Sequence, residues 1–376
     1  MNILITGGAG FIGSNLALSL IAKGHSVTVI DNLSKQIHGN NPYHESSLLK
    51  SIIDKVRFIE GSITDRQLLE KAIEDQDVIV HFAAETGTGQ SMYCIAQYCD
   101  VNIQGTAIML DILANSSHKV KKVVLASSRS IYGEGAYIES SGIKVYPNHR
   151  KEEDMIQKKF EVTFDSKTDL KLIATDENSK IHPSSVYGIT KQNQEQMIMT
   201  VCPTIGIAPV AFRYQNVYGP GQSLKNPYTG ILSIFSTQIR NGNPINIFED
   251  GLESRDFVFI DDVVDATILG IEMDAANNQV FNVGTGVATS VINVAKTLLK
   301  NYNIEVPVQI TGQFRLGDIR HNYADLTKIN KLLGYAPKVN FNEGIKLFSE
   351  WVLSQEIEED NLTNSLMEMK NKGLLK

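Results

Sequence analysis

The chain has 376 residues, of which 42% are hydrophobic and 20% are charged, so it is long enough to bury a large core and to form a second, smaller domain. Its 35 basic and 42 acidic residues give a net charge of −7, and it has no long basic run, which argues against nucleic acid as its main partner. No stretch approaches the ~20 apolar residues of a membrane span.

The start of the chain and its cysteines indicate where the protein is located and whether it binds a metal. The first predicted strand begins at residue 2, which leaves no room for a signal peptide, so we expect a cytoplasmic protein without a membrane partner. Cys94, Cys99 and Cys202 are odd in number and form no C-x-x-C pair. We therefore expect buried thiols, with neither a disulfide framework nor a metal site.

Short apolar runs alternate with segments of helical periodicity through the first half of the chain. This alternation predicts an α/β fold with a Rossmann-type doubly wound parallel sheet, in which ligands bind outside the carboxyl ends of the strands. The predicted strands lie near residues 2–6, 26–31, 55–60, 77–83, 121–127 and 207–213, and the predicted helices near 14–23, 65–74, 94–114 and 183–201.

The first strand runs directly into three glycines with the spacing G-x-x-G-x-x-G, which open a helix. Gly7 is needed for a tight turn, Gly10 for close approach of the backbone to a pyrophosphate, and Gly13 for close packing of helix and strand. The second apolar run ends in Asp31, whose carboxylate can accept hydrogen bonds from an adenosine ribose. Because a carboxylate repels a 2′-phosphate, the pattern predicts an NAD site and disfavours NADP.

Two further motifs carry catalytic side chains. Ser128 ends a predicted buried strand, and Tyr187 and Lys191 are spaced to lie on one face of a helix. A free tyrosine has a pKa of about 10, so it needs a nearby cation to act as a base at neutral pH. Lys191 and a positively charged nicotinamide ring would stabilise the phenolate, while Ser128 would bind the same substrate oxygen. This arrangement predicts removal of a hydroxyl proton while hydride leaves the carbon.

The rest of the chain divides by composition. We expect an NAD-binding domain over residues 1–220 with a polar insertion near 136–181, a smaller substrate-binding region over 221–357 with some segments returning to the first domain, and a charged tail over 358–376 that is helical or frayed. The alternating charges of the insertion are typical of a solvated loop or short hairpin. A lid over the substrate is the alternative.

A series of motifs in this order resembles the extended short-chain dehydrogenase/reductase family, within its nucleotide-sugar epimerase and dehydratase branch. The motifs are Thr6–Gly13, Val80–Ala84, Val101–Thr106, Val123–Gly133, Tyr187 with Lys191, Arg213–Pro220, Arg255–Val258 and Arg315–Asp318. The resemblance implies NAD as cofactor, a nucleotide-sugar substrate, and a homodimer formed through the helices near 94–114 and 183–201.

The motifs and the resemblance together assign the site residues. The catalytic residues are Ser128, Tyr187 and Lys191. The cofactor-binding residues are Gly7, Gly10, Phe11, Ile12, Gly13, Asp31, Asn32, Ser62, Ile63, Phe82, Ala83, Ala84, Asn102, Ser127, Tyr187, Lys191, Tyr214 and Val217. The substrate-binding residues are Glu85, Thr88, Gln90, Ser128, Arg129, Ser130, Tyr187, Asn216, Arg255, Arg315 and Asp318. By the resemblance, Asn102 braces the active-site helix, and Tyr214 and Val217 flank the nicotinamide.

The two later arginines, Arg255 and Arg315, suit a diphosphate, because the planar guanidinium binds such groups through two parallel hydrogen bonds. The alternative is a surface ion pair with the neighbouring Asp256 or Asp318.

The turn after the Ser128 strand limits which reactions of this branch the chain can catalyse. The 4,6-dehydratases of this branch have Thr-Asp-Glu there, whereas this chain has Ser128-Arg129-Ser130, which supplies no carboxylic acid for eliminating water. Epimerisation at C4 requires least: one tyrosine, a hydride acceptor that stays bound, and room for a 4-keto sugar to turn over. Nothing in the sequence argues decisively for or against decarboxylation.

Three segments limit the choice of substrate. They are residues 84–92, the insertion with Tyr146-Pro147 and Thr175-Asp176-Glu177, and residues 221–230. They are similar to segments of branch members that convert dTDP-L-rhamnose into dTDP-6-deoxy-L-talose, so the resemblance implies a dTDP-6-deoxyhexose substrate. The alternatives are a UDP-hexose 4-epimerase or another nucleotide-sugar epimerase or reductase. A non-catalytic NAD-binding protein is disfavoured, because the Ser-Tyr-Lys set is complete.

Two residues depart from the usual pattern of the branch. Ser62 stands where an acidic residue often contacts adenine, so it would bind more weakly or through its hydroxyl. Glu85 places a carboxylate close to the active site, where it would either bind a sugar hydroxyl or pair with Arg129. The sequence does not decide between these two roles.

Overall fold

The structure is a computed structural model that describes residues 1–165, 169–226, 228 and 230–376. Residues 166–168 of the predicted insertion, and Pro227 and Thr229 of the segment 221–230, lie outside the described residues. Within the described residues, no helix is both long enough and apolar enough to cross a membrane.

A seven-stranded parallel sheet forms the centre of the molecule. Its strands are β1 (Asn2–Thr6), β2 (Ser26–Asp31), β3 (Arg57–Glu60), β4 (Val78–His81), β5 (Lys122–Ser128), β6 (Ala208–Tyr214) and β7 (Gln279–Val283). They are arranged in the order β7-β6-β5-β4-β1-β2-β3. The order reverses between β1 and β4, and a cleft opens there at the carboxyl ends of the strands. The predicted α/β class and parallel sheet are confirmed, and β7 is a strand that the sequence analysis missed.

Helices cover both faces of this sheet. They are α1 (Phe11–Ala22), α2 (Arg66–Ile73), α3 (Gly105–Asn115), α4 (Val186–Thr204) and α5 (Ile260–Glu272). Apolar residues of α1 and α5 pack on one face in one core cluster, and those of α2, α3 and α4 pack on the other face in a second cluster. The helix predicted near 94–114 is divided into Ile95–Tyr98, a π-helical stretch Cys99–Gln104, and α3.

The remaining elements lie outside the central sheet. The remaining helices are Lys35–His38, Pro42–Glu45, Ser47–Ile52, Thr88–Ser91, Glu152–Ile156, Ile231–Arg240, Val291–Tyr302, Thr327–Leu333, Phe341–Ser354 and Leu362–Asn371, with 3-10 turns at Arg129–Tyr132 and Asp274–Ala276. The paired short strands are Asn216–Tyr218 with Phe257–Phe259, Ile245–Ile247 with Val308–Ile310, and Ser254–Arg255 with both Thr289–Ser290 and His321–Asn322.

The insertion is folded. Strands Tyr137–Glu139, Lys144–Val145 and Leu170–Leu172 form an antiparallel sheet over a small apolar cluster. Arg150 ties this unit to the substrate-binding region, because its guanidinium donates to Glu249 Oε2 at 2.8 Å and to the Asp318 carbonyl at 3.0 Å. Of the residues that the structure describes in 136–181, none lines the large cavity at the sheet edge, so the lid interpretation gains no support.

Candidate functional site

The glycine turn lies between β1 and α1 at the carboxyl edge of the sheet. Gly7 has a φ of +67°, and a side chain there would come within 2.7 Å of the Ala83 backbone nitrogen. A side chain at Gly13 would come within 2.6 Å of the Gly7 carbonyl oxygen. Both positions therefore require glycine, which keeps the turn tight and lets the N-terminus of α1 face the cleft.

Asp31 ends β2 beside this turn and is 9% exposed. Its Oδ2 accepts a hydrogen bond from the Ala9 N–H at 3.0 Å, and its Oδ1 accepts one from the Leu33 N–H at 2.9 Å. The His38 Nε2 lies 3.7 Å from Oδ1, and burial raises the pKa of Asp31 against the opposing effect of this imidazole. The backbone contacts fix the carboxylate in one orientation at the cleft.

A cavity of about 460 Å³ follows the cleft from Asp31 to the end of β5. Its walls include most of the residues assigned to the cofactor: Gly7, Gly10, Phe11, Ile12, Gly13, Asp31, Asn32, Ser62, Ile63, Phe82, Ala83, Ala84, Ser127, Tyr187, Lys191, Tyr214 and Val217. They also include several assigned to the substrate: Glu85, Thr88, Ser128, Arg129, Ser130 and Asn216. The structure therefore brings together side chains from distant parts of the chain in one space, which we call the main cavity.

Ser128, Tyr187 and Lys191 all lie on the wall of the main cavity, and we call the part that they line the reacting end. Burial raises the pKa of Tyr187, while the Ser128 hydroxyl beside its phenol and the charge of Arg129 act in the opposite direction. Lys191 is 3% exposed and donates from Nζ to the Ala126 carbonyl at 2.9 Å. Burial lowers the pKa of Lys191 to about 7, so this amine is poised near neutral pH.

Helix α4, which carries Tyr187 and Lys191, is anchored at its start. The Ser185 hydroxyl accepts a hydrogen bond from the Gly188 N–H at 3.1 Å, as expected for an N-cap. The Ser91 hydroxyl accepts one from the Tyr187 N–H at 3.0 Å. These two contacts fix the first turn of the helix at the cavity.

Asn102 lies behind the main cavity, not on its wall, and donates to Thr190 Oγ1 at 2.9 Å on α4. Its side-chain amide also pairs with both the N–H and the carbonyl of Glu85, at 2.8 and 3.1 Å. It thus links the active-site helix to the segment that follows β4.

Arg129 points toward the substrate end of the cavity, where Asn216 Oδ1 accepts its Nε–H at 2.8 Å. Burial and the neighbouring Arg255 lower the pKa of Arg129 to about 9. Among the described residues, Arg129 and Glu85 form no ion pair, so that alternative for Glu85 is not realised. Of the described residues on the cavity wall, Asp31 and Glu85 are the acidic ones.

Four residues assigned to the substrate lie away from the described walls of the main cavity: Gln90, Arg255, Arg315 and Asp318. Gln90 instead exchanges hydrogen bonds with Gln36 at 3.2 Å. The Arg255 guanidinium donates to the carbonyls of Ser254, Ile319 and Arg320.

Arg315 pairs with Asp318, with its Nη2 2.6 Å from Oδ2, and both line a second, smaller cavity that shares Thr88 with the main one. The ion pair given as the alternative for Arg315 is therefore present in this state of the protein.

The sequence analysis missed a buried ion pair behind the active site. Glu195 on α4 accepts two hydrogen bonds from Arg213 on β6, at 2.6 and 3.0 Å, and a third from Ser127 Oγ at 2.6 Å. Ser127 thus lies at the cavity while its hydroxyl is engaged by Glu195. The signal was Arg213 itself, because a charge inside an apolar strand requires a buried partner.

The chain matches the model of the NAD dependent epimerase/dehydratase family over residues 3–151 and 164–284. It is 36% identical over 361 residues to dTDP-L-rhamnose 4-epimerase of Burkholderia thailandensis, covering 96% of each chain. It is also similar to solved structures. A UDP-glucose 4-epimerase from Thermotoga maritima with UDP-glucose is 31% identical, with a TM-score of 0.74 and coverage of 93% of this chain and 98% of that one.

A UDP-glucuronic acid 4-epimerase from Bacillus cereus, in complex with a fluorinated UDP-sugar and NAD, is 25% identical, with a TM-score of 0.77 and coverage of 94% of this chain and 99% of that one. These relatives extend over nearly the whole chain, and all are 4-epimerases of nucleotide sugars. The chain belongs to the NAD dependent epimerase/dehydratase family of enzymes.

Proposed function

We propose that this enzyme epimerises a nucleotide-activated 6-deoxyhexose at C4, converting dTDP-L-rhamnose into dTDP-6-deoxy-L-talose through a transient 4-keto sugar. The observation that carries this proposal is that Ser128, Tyr187 and Lys191 lie on the wall of one cavity that extends to Asp31. NAD supplies a hydride acceptor that returns the hydride to the other face of the sugar. The relative from Burkholderia thailandensis supports the choice of substrate.

The residues of the main cavity fit NAD. The glycine turn packs too closely on neighbouring backbone to admit side chains at Gly7 and Gly13, so α1 begins directly at the cavity, and the N–H groups of its first turn suit a pyrophosphate. The Asp31 carboxylate is held in place by two backbone N–H groups and offers its remaining lone pairs to ribose hydroxyls. Gln215, which is 5% exposed on the cavity wall, has both amide atoms without a hydrogen-bond partner among the described residues, as expected where a ligand supplies the partner.

Tyr187 acts as the base in this proposal. Its phenol takes the proton of the sugar 4-OH, and Ser128 holds the same oxygen by donating a hydrogen bond. Burial disfavours the phenolate, while the Ser128 hydroxyl and the charge of Arg129 lower the pKa of the phenol. In this proposal the Lys191 ammonium adds to that positive charge when the cofactor is bound. Lys191 uses one of its N–H bonds on the Ala126 carbonyl, which leaves two donors for the cofactor. Rotation of the keto sugar about its link to the diphosphate then presents the other face.

Dehydration is disfavoured by the turn after β5. Ser130 donates from its hydroxyl to Ser128 Oγ at 2.9 Å, and Arg129 is held by Asn216, so this turn provides no acid for eliminating water. Glu85 remains available on the cavity wall, with its backbone fixed by Asn102. We assign its carboxylate to a sugar hydroxyl.

The substrate is tested by incubating the purified enzyme separately with dTDP-L-rhamnose and UDP-glucose and observing the C4 epimer by NMR. We expect dTDP-6-deoxy-L-talose from the first and little product from the second. Conversion of UDP-glucose alone would replace our substrate with a UDP-hexose, an alternative favoured by the likeness to the Thermotoga maritima enzyme. Failure to convert any nucleotide sugar would overturn the proposed reaction.

A cytoplasmic homodimer is part of the same proposal. Ile95 and Ile189 are 51% and 45% exposed, and they lie on the two neighbouring segments, Ile95–Tyr98 and α4, that the family resemblance places at a dimer interface. Light scattering after gel filtration is expected to give twice the chain mass of 41.6 kDa. Ile189→Asp is expected to give monomers.

A further inference from the structure

The C-terminal tail, residues 362–376, folds back onto the substrate side of the molecule. Its last residues form an antiparallel bridge between Leu375 and Arg315. Phe314 and Lys376 exchange two backbone hydrogen bonds of 3.0 Å, and the Leu316 N–H donates to the Leu374 carbonyl at 2.9 Å. The segment predicted as helical or frayed is therefore joined to the segment that carries Arg315.

The helix of the tail, Leu362–Asn371, packs against the loop that leaves β4. Met369 is 3% exposed and, together with Leu374, lines the smaller cavity opposite Met92 and Arg315. Thr88 lines both this cavity and the main one. The tail thus lines a small cavity that adjoins the main cavity at Thr88.

A hydrogen bond joins the tail directly to the main cavity. The Tyr228 hydroxyl donates to Glu368 Oε2 at 2.6 Å, and Tyr228 is on the wall of the main cavity. Beside them, the Lys372 ammonium lies 5.9 Å from the centre of the Tyr93 ring. At the far end of the tail, Lys376 Nζ lies 3.2 Å from Glu152 Oε1 of the insertion.

All the segments that the sequence linked to substrate choice therefore meet at the tail: the loop 84–92, the insertion, the segment 221–230 and Arg315. Among the described residues, no hydrogen bond or ion pair joins the tail to the glycine turn, to Asp31 or to Lys191. The contacts of the tail are thus confined to the substrate side.

We propose that the C-terminal tail is the outer wall of the sugar-nucleotide site and that Glu368 is a positioning residue, which sets affinity for the nucleotide sugar by holding Tyr228. This inference rests on the proposed function. It assigns the tail to substrate binding and assigns it no part in holding NAD or in the chemical step.

The test compares Glu368→Leu, Tyr228→Phe and the double variant with Glu359→Leu, a change at an exposed carboxylate just before the tail helix. With dTDP-L-rhamnose, each of the first two is expected to raise KM about tenfold, the effect of losing one hydrogen bond to a charged group. We expect kcat to stay within about threefold. The double variant is expected to resemble either single variant, because both remove the same contact. The KM and kcat of Glu359→Leu, and the NAD content of all the proteins, are expected to match the wild type.

An unchanged KM in both single variants, or loss of NAD from either of them, would overturn the inference. Measuring turnover by the wild-type enzyme distinguishes failure of this inference from failure of the proposed function. If the wild type converts neither nucleotide sugar, hydrogen exchange of the NAD-loaded enzyme still tests the tail, with dTDP as the probe. Slower exchange at the amides of Leu316 and Leu374 on adding dTDP supports a wall of the nucleotide site, and unchanged exchange there contradicts it.

Discussion

The wall of the main cavity around Asp31 is built from strand ends and one helix N-terminus, whereas the wall around Thr88 and Tyr228 is built from connecting segments that the C-terminal tail contacts from outside. On the first wall the contacts are made largely by backbone groups, such as the N–H groups of Ala9 and Leu33 on Asp31. On the second they are made by side chains far apart in sequence, such as Tyr228 and Glu368. The fold therefore dictates the cofactor side, while side-chain pairs set the substrate side.

The reacting end, where these two walls meet, is expected to show the largest effect. Tyr187→Phe removes the proton acceptor and retains the ring, so kcat is expected to fall by about 10²- to 10⁴-fold, the usual contribution of a positioned base. NAD content, measured by absorbance after denaturation, is expected to remain at the wild-type level. Tyr43→Phe, at a tyrosine that is 48% exposed, is the control. A kcat within tenfold of the wild type would remove Tyr187 from the mechanism.

The buried pair behind the reacting end is expected to matter next. Glu195→Ala leaves the Arg213 guanidinium unpaired, so the free energy of unfolding is expected to fall by about 3–5 kcal/mol, as measured by urea denaturation. Glu350→Ala, which removes an exposed partner of Lys346, is expected to change it by less than about 1 kcal/mol.

Replacing both members of the pair, in Glu195→Met with Arg213→Met, is expected to recover most of the stability, because no unpaired charge is left buried. If the double variant were as unstable as Glu195→Ala, the loss would come from packing and not from the charge.

On the cofactor wall, Asp31→Ala is expected to weaken NAD binding by about 10- to 100-fold, because each hydrogen bond to a charged group contributes about 1.5–3 kcal/mol. The ratio of NAD to NADP affinity is expected to fall as well, since the charge that repels a 2′-phosphate is gone. Calorimetry with both cofactors measures the change, and Asp54→Asn, at an exposed position, is the control. An unchanged ratio would show that Asp31 does not select the cofactor.

The difference between the cofactor wall and the substrate wall also explains which features could be predicted from the sequence. The strands β1 to β6 and the glycine turn were found because a buried parallel strand is a local apolar run and a tight turn has a local glycine pattern. Strand β7 was missed because it follows a long stretch of short mixed elements and reaches the sheet edge only through tertiary pairing with β6.

The substrate wall could not be predicted in the same way. Nothing near Glu368 in the sequence indicates its partner Tyr228, which is 140 residues away. The charge pattern of the tail was equally consistent with a frayed segment, since the contacts that order it, such as Arg315 with Leu375, are long-range. One long-range contact, the pair of Arg213 with Glu195, did have a signal in the sequence. Arg213 is a charged residue within an apolar strand, and such a residue requires a buried partner.

The smallest predicted effect is on the free energy of unfolding, which is expected to depend on pH because of Lys191. This dependence also tests the reacting end. Burial lowers its pKa from 10.5 to about 7, so between these values the unfolded chain binds a proton that the folded protein has lost. The contribution of Lys191 to the free energy of unfolding therefore increases as the pH rises from about 7 to 10.5, and it is lowest below pH 7. Lys191→Met removes this dependence.

The free energy of unfolding of the wild type relative to Lys191→Met is thus expected to increase by roughly 1 kcal/mol per pH unit between pH 7 and 9, as measured by urea denaturation. Two neighbouring groups do not titrate there: burial lowers the pKa of His81 beside Lys191 to about 3, and burial raises the pKa of Tyr187 above 10. Arg129, whose pKa is lowered to about 9 by burial, is present in both proteins, so its own titration is common to both curves and is subtracted in the comparison. A constant difference across this range would mean that Lys191 stays charged in the folded protein without NAD. The ammonium that stabilises the Tyr187 phenolate would then be present before the cofactor arrives.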